Sequence, residues 1–520
     1  MTTLLSTPSV SPVLICVVLL CLALLRSWVR AKGRHLPPGP KRLPIIGNAL
    51  QVPLECQELT FAEWGSRFGD VIYARLFQKH VIVLNSVHAA RELLEKRGAI
   101  YSDRPRFVMF AELIKAFHPN MSLMNYGDAW RQQRKWFQTT ISTRTALDSF
   151  QPVQQREVVQ FLSELLRTPQ DFASHIKRFT AGILFEISYG HTVTSNDDDL
   201  VVKADETITG ILEAGGAGST LVDFAPILQY IPAWLPGAGF KRNALKLRRS
   251  AFEAMNVPFM RVKEEMACGV AKPSYVSRLL EETSNSPTRV ESENIIRAGA
   301  ALMYEAGIDT TATTITSFFL AMTLFPDVYR KAQAEMDTVV SRSRLPTHAD
   351  RPSLPYLESV LKETFRWTTP VPLGLPHQVT GDDEYRGYYI PGGSMIIANI
   401  WGMSRDPGMF PAPEVFDPDR FCKTVEDREG VLDPSTFVFG FGRRVCPGRM
   451  LADSSVWLIA ANLVATMDIG RERDEAGREV IPVPEFVPGT VRHPKPFLCS
   501  IKPRHSKVSQ LISQVSIDSK

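Results

Sequence analysis

The sequence predicts a mostly α-helical protein with small β-sheets, set behind a single N-terminal transmembrane helix. Three observations carry this. Residues 150 to 260 are mainly amphipathic helical stretches, broken near Gly215-Gly216-Ala217-Gly218 and again between Pro232 and Gly239. The apolar run Ile295 to Phe325 is interrupted by Arg297, Glu305 and Asp309. Charges are costly in a lipid-facing helix, so this run reads as a central buried helix. Val10 to Leu25 is almost wholly apolar, and the β-forming runs elsewhere are few and short.

Composition sets outer bounds. A chain of 520 residues can form two or three average domains or one large one, and 44% hydrophobic with 22% charged residues leaves material for a core. The net charge of +4 is too small to argue for nucleic acid. Seven scattered cysteines are not a secreted disulfide framework and fit a reducing compartment.

Counted from Leu4, the first apolar run approaches the roughly 20 residues that span a bilayer. Arg26, Arg30, Lys32 and Arg34 follow it and no Lys or Arg precedes it. The positive-inside rule then puts the bulk of the chain in the cytoplasm. A cleavable signal peptide needs a basic segment before the apolar run, so an anchor over residues 1–33 is the better reading. Residues 34–45, rich in proline, form a stiff, helix-free hinge. A main body is expected over 46–503 and a polar, disordered tail over 504–520.

Leu59 to Arg67 reads as a helix, Val71 to Leu76 and Val81 to Leu84 as a hairpin, and Val87 to Lys96 as helix again. From Tyr101 to Asp128 the pattern weakens into a long loop with short helical pieces. Loops of that length in a compact domain are usually functional. Trp130 opens the next helix, and Arg134 shares its face at i+4. An indole N–H beside a guanidinium suits a carboxylate, although a solvated basic face with a core tryptophan is the everyday alternative.

Within the long helix lies Ala306-Gly307-Ile308-Asp309-Thr310-Thr311. An acid beside a hydroxyl can relay protons into a dry site; equally, a mid-helix threonine often bonds its own helix carbonyl. Glu305 lies one turn before Asp309. It can contact a polar substrate group or face away and pair with a base, and the second is expected. Glu363 and Arg366 stand at i, i+3, by itself an ordinary helical pair. Thr368 to Val379 is proline-punctuated and extended, with His377 near its end. Tyr388 to Ile390 and Ser394 to Ile400 look like paired strands, and Phe486 to Ile501 like a late hairpin.

The chemistry concentrates in Phe439-Gly440-Phe441-Gly442-Arg443-Arg444-Val445-Cys446-Pro447-Gly448. Glycines let the backbone bend and approach something flat. A cysteine just before a helix is pushed toward thiolate by backbone N–H groups and the helix dipole. Thiolate is one of the few axial ligands of haem iron, and Arg444 suits a haem carboxylate. Other readings fail on spacing. No Lys-Ser/Thr follows for a Walker loop, Val445 stands where a dinucleotide loop needs glycine, and Cys422 is too distant for a zinc pair. A lone buried cysteine is usually inert. The pattern Phe-x-x-Gly-x-Arg-x-Cys-x-Gly reverses those odds.

That pattern resembles the haem-binding signature of the cytochrome P-450 family at every fixed position. The other family motifs follow in order: W-x-x-x-R at Trp130 and Arg134, A-G-x-D-T at Ala306 to Thr310, E-x-x-R at Glu363 and Arg366, and P-x-R-x at Arg420. The resemblance implies a cytochrome P-450 fold as one large domain. It implies haem b (iron protoporphyrin IX) with Cys446 as iron ligand, and cofactor contacts from Trp130, Arg134, His377, Phe439, Gly442, Arg444 and Gly448. Asp309 and Thr310 would deliver protons, and Glu363, Arg366 and Arg420 would form a structural lock under the haem.

The activity implied is a monooxygenase. It would draw electrons from NADPH through NADPH-cytochrome P-450 reductase, with cytochrome b5 as a further partner, and use dioxygen on a lipophilic substrate at the endoplasmic reticulum membrane. Arg366-Trp367 followed by Pro370-x-Pro372-Leu373-Gly374 looks most like fungal secondary-metabolite members, and so suggests a terpenoid or polyketide substrate. A haem-thiolate isomerase or dehydratase and a non-enzymatic haem sensor are the alternatives; the intact Asp309-Thr310 pair argues against both.

Overall fold

In the computed structural model the described residues are 35–215, 220–422 and 431–518. The expected anchor at 1–33 lies outside them, as does most of the glycine-rich break. Among them are the longer helices α1 (Gln57–Phe68), α2 (Asp128–Ile141), α3 (Arg144–Arg167), α4 (Phe172–Tyr189), α5 (Asp199–Glu213), α6 (Gly239–Ala267), α7 (Tyr275–Glu282), α8 (Arg289–Leu324), α9 (Pro326–Val339), α10 (Pro355–Thr368), α11 (Arg449–Thr466) and α12 (Val508–Asp518). Proline sits at the start of α9 and of α10, where its missing N–H costs nothing.

The run Ile295 to Phe325 is the interior of α8. Its 36 residues are apolar on nearly every side, as expected of a helix buried all round. It packs on α4 along much of its length and also meets α2, α10 and α11. Phe318, Phe319 and Met322 of α8 share one core with Phe179 of α4, Trp457 of α11 and Leu357 of α10. Among the described residues no single helix is long and apolar enough to cross a membrane.

The β structure is small. Strands β1 (Val71–Leu76) and β2 (Lys79–Leu84) form the expected hairpin, with Val71 opposite Leu84. The main sheet adds β3 (His377–Gln378) and, between it and β2, the later strand Met395–Ala398. The expected pairing of Tyr388–Ile390 with that later strand is not made. Instead β4 (Asp383–Tyr385) and β5 (Tyr388–Ile390) form their own hairpin. Arg386 and Gly387 join them with φ of 52° and 76°, the double left-handed turn that two-residue hairpins favour. Met395–Ala398, now β6, has all four residues buried. A strand covered on both faces belongs inside a sheet, and β6 runs parallel to β2 and antiparallel to β3. Farther on, β7 (Met467–Gly470) pairs with a last strand at Ser500–Pro503, and β8 (Glu472–Arg473) with β9 (Glu479–Val480).

The proline-rich hinge is helix-free but tied to the body: Tyr73 N–H donates to Pro38 O (2.9 Å), and Tyr389 N–H to His35 O (2.7 Å). The tail, expected to be disordered, instead carries a helix over its described residues. Val508 and Ile512 of α12 are buried, and α12 packs against α3. Its apolar residues recur at i and i+4, a signal the polar composition of the tail concealed. Ile512→Ala should lower stability by about 2–5 kcal/mol, as for other buried large-to-small changes, read as an earlier urea midpoint. An unchanged midpoint would mean the tail does not dock.

Candidate active site

The cysteine loop runs from Phe439 to the start of α11. Gly442 has φ of +59°, and a Cβ there would lie 2.1 Å from the carbonyl oxygen of Leu94. Glycine is therefore required where the loop crosses the segment Arg91–Lys96. Gly442 holds the loop from below and is not among the cavity-lining residues, contrary to the expected cofactor contact. The N–H of Cys446 donates to Phe439 O (2.9 Å), closing the turn. Cys446, Phe439, Arg444 and Gly448 all line one cavity of about 320 Å³. Phe439 is braced by Phe365 of α10, with ring centroids 5.5 Å apart.

Burial pushes the Cys446 thiol up, against the N–H groups of Gly448 and Arg449 and the guanidiniums of Arg134 and Arg449. The thiolate bias expected from the turn is thus present but outweighed. A metal bound at sulfur reverses that balance, because a coordinating thiol is deprotonated outright.

Around the same cavity stand Trp130 and Arg134 of α2, with Arg444, His377 and Arg104. Arg134 donates to Val445 O (2.6 Å). Arg444 donates to the carbonyls of Ser102, Met121 and Met124 (2.8, 2.9 and 2.8 Å). Its guanidinium lies 4.8 Å from the ring centre of Trp130. Arg104 is deeply buried, donating to the carbonyls of Ser122, Leu375 and Pro376. None of the three arginines has a carboxylate within ion-pair distance among the described residues. The indole N–H of Trp130 is buried with no acceptor. Burial lowers the pKa of all three guanidiniums, that of Arg444 to about 10. Buried cations without counter-ions are unfavourable, and a bound dianion such as a pair of haem propionates would satisfy them. The residues present therefore fit haem b.

His377 answers the expectation differently. Its ring lies 2.8 Å through Nδ1 from Tyr101 O. A carbonyl only accepts, so Nδ1 carries the proton and Nε2 of the neutral ring is an acceptor. Burial, then Arg104 and Arg444, push its pKa down to about 3. His377 and Arg104 both line the cavity. Nothing in the sequence marks Arg104 as a site residue, because Arg-Pro in a loop carries no spacing signal.

The three lock residues come together. Arg366 forks onto Glu363 with two bonds of 2.7 Å. Arg420 reaches Glu363 Oε1 at 3.3 Å, and the N–H of Asp417 donates to the same oxygen at 2.8 Å. Glu363 and Arg366 are wholly buried and Arg420 nearly so. Both arginines also donate to Val415 O.

On α8, Ala306, Gly307 and Thr310 line the cavity that holds Cys446, whereas Asp309 does not. The Thr310 hydroxyl donates to Ala306 O (2.8 Å), the ordinary mid-helix bond. A Cβ at Gly307 would meet Leu184 at 2.9 Å, so Gly307 also lets α4 approach α8. Asp309 Oδ2 is buried without a partner. Burial pushes this carboxyl up, against His493 and Lys177. The expected base beside Glu305 is absent among the described residues. Its Oε2 is buried and unpaired, and burial pushes the carboxyl up to about 8.

The match with known proteins covers the same residues. The family model described as Cytochrome P450 matches residues 37–498. The chain belongs to the cytochrome P-450 family. It is 48% identical over 489 residues to cytochrome P450 monooxygenase 176 of Postia placenta, covering 94% of each chain. It is 47% identical over 498 residues to monooxygenase 136 of the same fungus, covering 95% of this chain and 93% of that one. It is 39% identical over 502 residues to cytochrome P450 monooxygenase claR of Ampulloclitocybe clavipes, covering 96% and 92%. The chain is an oxidoreductase of the cytochrome P-450 monooxygenase class.

Two outcomes follow from these charges. Arg366→Ala leaves the buried Glu363 with only Arg420 at 3.3 Å and the Asp417 N–H, which should cost roughly 3–5 kcal/mol. The folded yield and the thermal midpoint would fall together, whereas a solvated helical pair would cost only a few tenths of a kcal/mol. Glu305 has a folded pKa above its unfolded one, so the folded state binds the extra proton. Stability then falls as pH rises from the ordinary carboxylate range through about 8. Glu305→Leu should gain on the wild type in thermal midpoint between pH 6 and pH 9; parallel pH profiles would contradict this.

Proposed function

We propose that this chain is a membrane-tethered haem-thiolate monooxygenase that oxidises a lipophilic terpenoid or polyketide intermediate of fungal secondary metabolism. The observation that carries it is one apolar cavity with Cys446 and Thr310 on its wall and three unpaired arginines around it. Cys446 is the iron ligand. Arg104, Arg134, Arg444 and the Trp130 N–H hold the two carboxylates of haem b. Phe439 walls the sulfur side, and Gly448 leaves space beside Sγ, since a Cβ there would meet nothing nearer than 3.9 Å. Bound in this cavity, haem b supplies dioxygen activation, and thiolate ligation favours O–O cleavage.

The chain's own part is binding, exclusion of water and proton supply. Leu184, Leu302, Val371 and Leu373 give the cavity apolar walls. Asp309 holds a proton at its carboxyl, and Thr310 passes it on at Oγ. To do so Thr310 must turn its hydroxyl away from Ala306 O. Electrons come from NADPH through NADPH-cytochrome P-450 reductase, with cytochrome b5 as a second donor. Arg443 and Arg449 are exposed beside the cysteine loop and suit an acidic partner. Ile45 at the end of the hinge, Leu50 and Leu54 just after it, and Ile227, Tyr230 and Trp234 are exposed apolar side chains that suit the surface of the endoplasmic reticulum membrane, with the catalytic domain in the cytoplasm.

The absorption spectrum of the reduced, carbon-monoxide-bound protein should be of thiolate type and should be lost in Cys446→Ala. A spectrum unchanged by that mutation would overturn the reading. Product formation should require both NADPH and dioxygen, and Asp309→Asn should lower product per NADPH consumed by tenfold or more, about the yield of a positioned proton donor. Arg443→Glu with Arg449→Glu should slow electron transfer from the reductase, most at low salt; unchanged rates would remove these two residues from the docking surface.

A further inference from the structure

Between Asp223 and Glu253 the chain carries five cations and no acid. All five, Lys241, Arg242, Lys246, Arg248 and Arg249, fall near the start of α6, and none reaches a carboxylate within ion-pair distance among the described residues. Glu253, the next acid along the helix, is taken by Lys203 of α5 at 2.6 Å. The exposed Glu206 and Glu213 of the adjoining α5 make no ion pair with them. Lys241 donates to Gln229 O and Ile231 O (2.6 and 3.0 Å), and Arg242 to Ala233 O (2.7 Å). Both thereby fasten to α6 the loop that holds the exposed Ile227, Tyr230 and Trp234. Lys246 and Arg249 are exposed and bond nothing among the described residues. Arg242, Lys246 and Arg249 follow at i, i+4 and i+7 and so form one stripe, interleaved with the exposed Leu245 and Phe252.

The same loop stands beside the end of the hinge. Phe224 meets Phe77 of the β1–β2 turn with ring centroids 6.4 Å apart, and the N–H of Phe77 donates to Ile46 O (3.1 Å). Lys41 and Arg42 are exposed there, next to Ile45. The two apolar patches named above therefore adjoin on one side of the molecule, each with cations beside it.

We propose that this side of the molecule binds anionic phospholipid, with Arg242, Lys246 and Arg249 on the headgroup charges while Trp234 and its neighbours enter the interface. The parts match what an anionic bilayer surface offers. Indole and phenol rings settle at headgroup level. Lys and Arg lay their stems along apolar surface and keep the charge in water. A surface carrying negative headgroups attracts each nearby cation by about fivefold in binding. An acidic protein suits the stripe less well, because apolar side chains are exposed between its cations. This inference rests on the membrane contact proposed above and adds the class of lipid that it selects.

The test uses the full-length holoenzyme in bilayer nanodiscs of phosphatidylcholine, with or without about one third phosphatidylserine. Acetylation of lysines by a water-soluble reagent, read by mass spectrometry, should slow about fivefold more at Lys246 in the anionic discs than in the neutral ones. Lys135, on the cysteine side, should not respond, and high salt should remove the difference. Separately, headgroup-labelled lipid should quench tryptophan fluorescence, with the share of Trp234 given by Trp234→Phe. That share should rise in anionic discs, and Lys246→Glu with Arg249→Glu should abolish the rise. Equal acetylation of Lys246 in both discs, with Trp234 still quenched, overturns the lipid class and leaves the membrane contact standing. Shielding of Lys246 that appears only when the reductase is added overturns it in favour of an acidic protein. No quenching of Trp234 in either disc overturns the membrane contact and this inference with it.

Discussion

Glu363 carries a full charge where no water reaches it, and much of the cysteine side of the cavity is arranged to meet that charge. Its two oxygens take the fork of Arg366, the guanidinium of Arg420 and the N–H of Asp417. Arg366 and Arg420 in turn gather carbonyls from Ser404, Pro411, Pro413 and Val415. These acceptors come from chain that has little regular structure of its own. The buried acid therefore orders the irregular segment leading to the cysteine loop. A buried ion pair adds little net stability over apolar packing, but it specifies one arrangement, since any other leaves a charge alone.

The cavity above inverts this. Arg104, Arg134 and Arg444 have only neutral carbonyl partners, and the Trp130 N–H has none among the described residues. The lock is complete in itself; the cavity is complete only with what it binds. The cations near the loop ask for carboxylates. The central helix presents the Thr310 hydroxyl and apolar surface to the same space, while Asp309 and Glu305 lie off its lining.

Much of this was legible residue by residue. The hairpin β1–β2, the buried α8, the cysteine loop and the pair Glu363–Arg366 follow from period, spacing and motif. Other features were not. Met395–Ala398 reads as a strand, but nothing local says that it lies between β2 and β3. Arg104 looks like a loop residue until Leu375 and Pro376 are brought beside it. Val508 and Ile512 are too few to stand out in a polar tail.

By itself, then, the sequence determined the reactive group, its family and the order of the parts, because these depend on short patterns that survive without their surroundings. Tertiary structure alone decided the partners. It turned His377 into an acceptor through Tyr101, set Gly442 against Leu94, pushed the Cys446 thiol up by burial and left Glu305 without a base. Each depends on what distant segments bring within a few ångströms, and on the exclusion of water there. Spacing along the chain encodes neither.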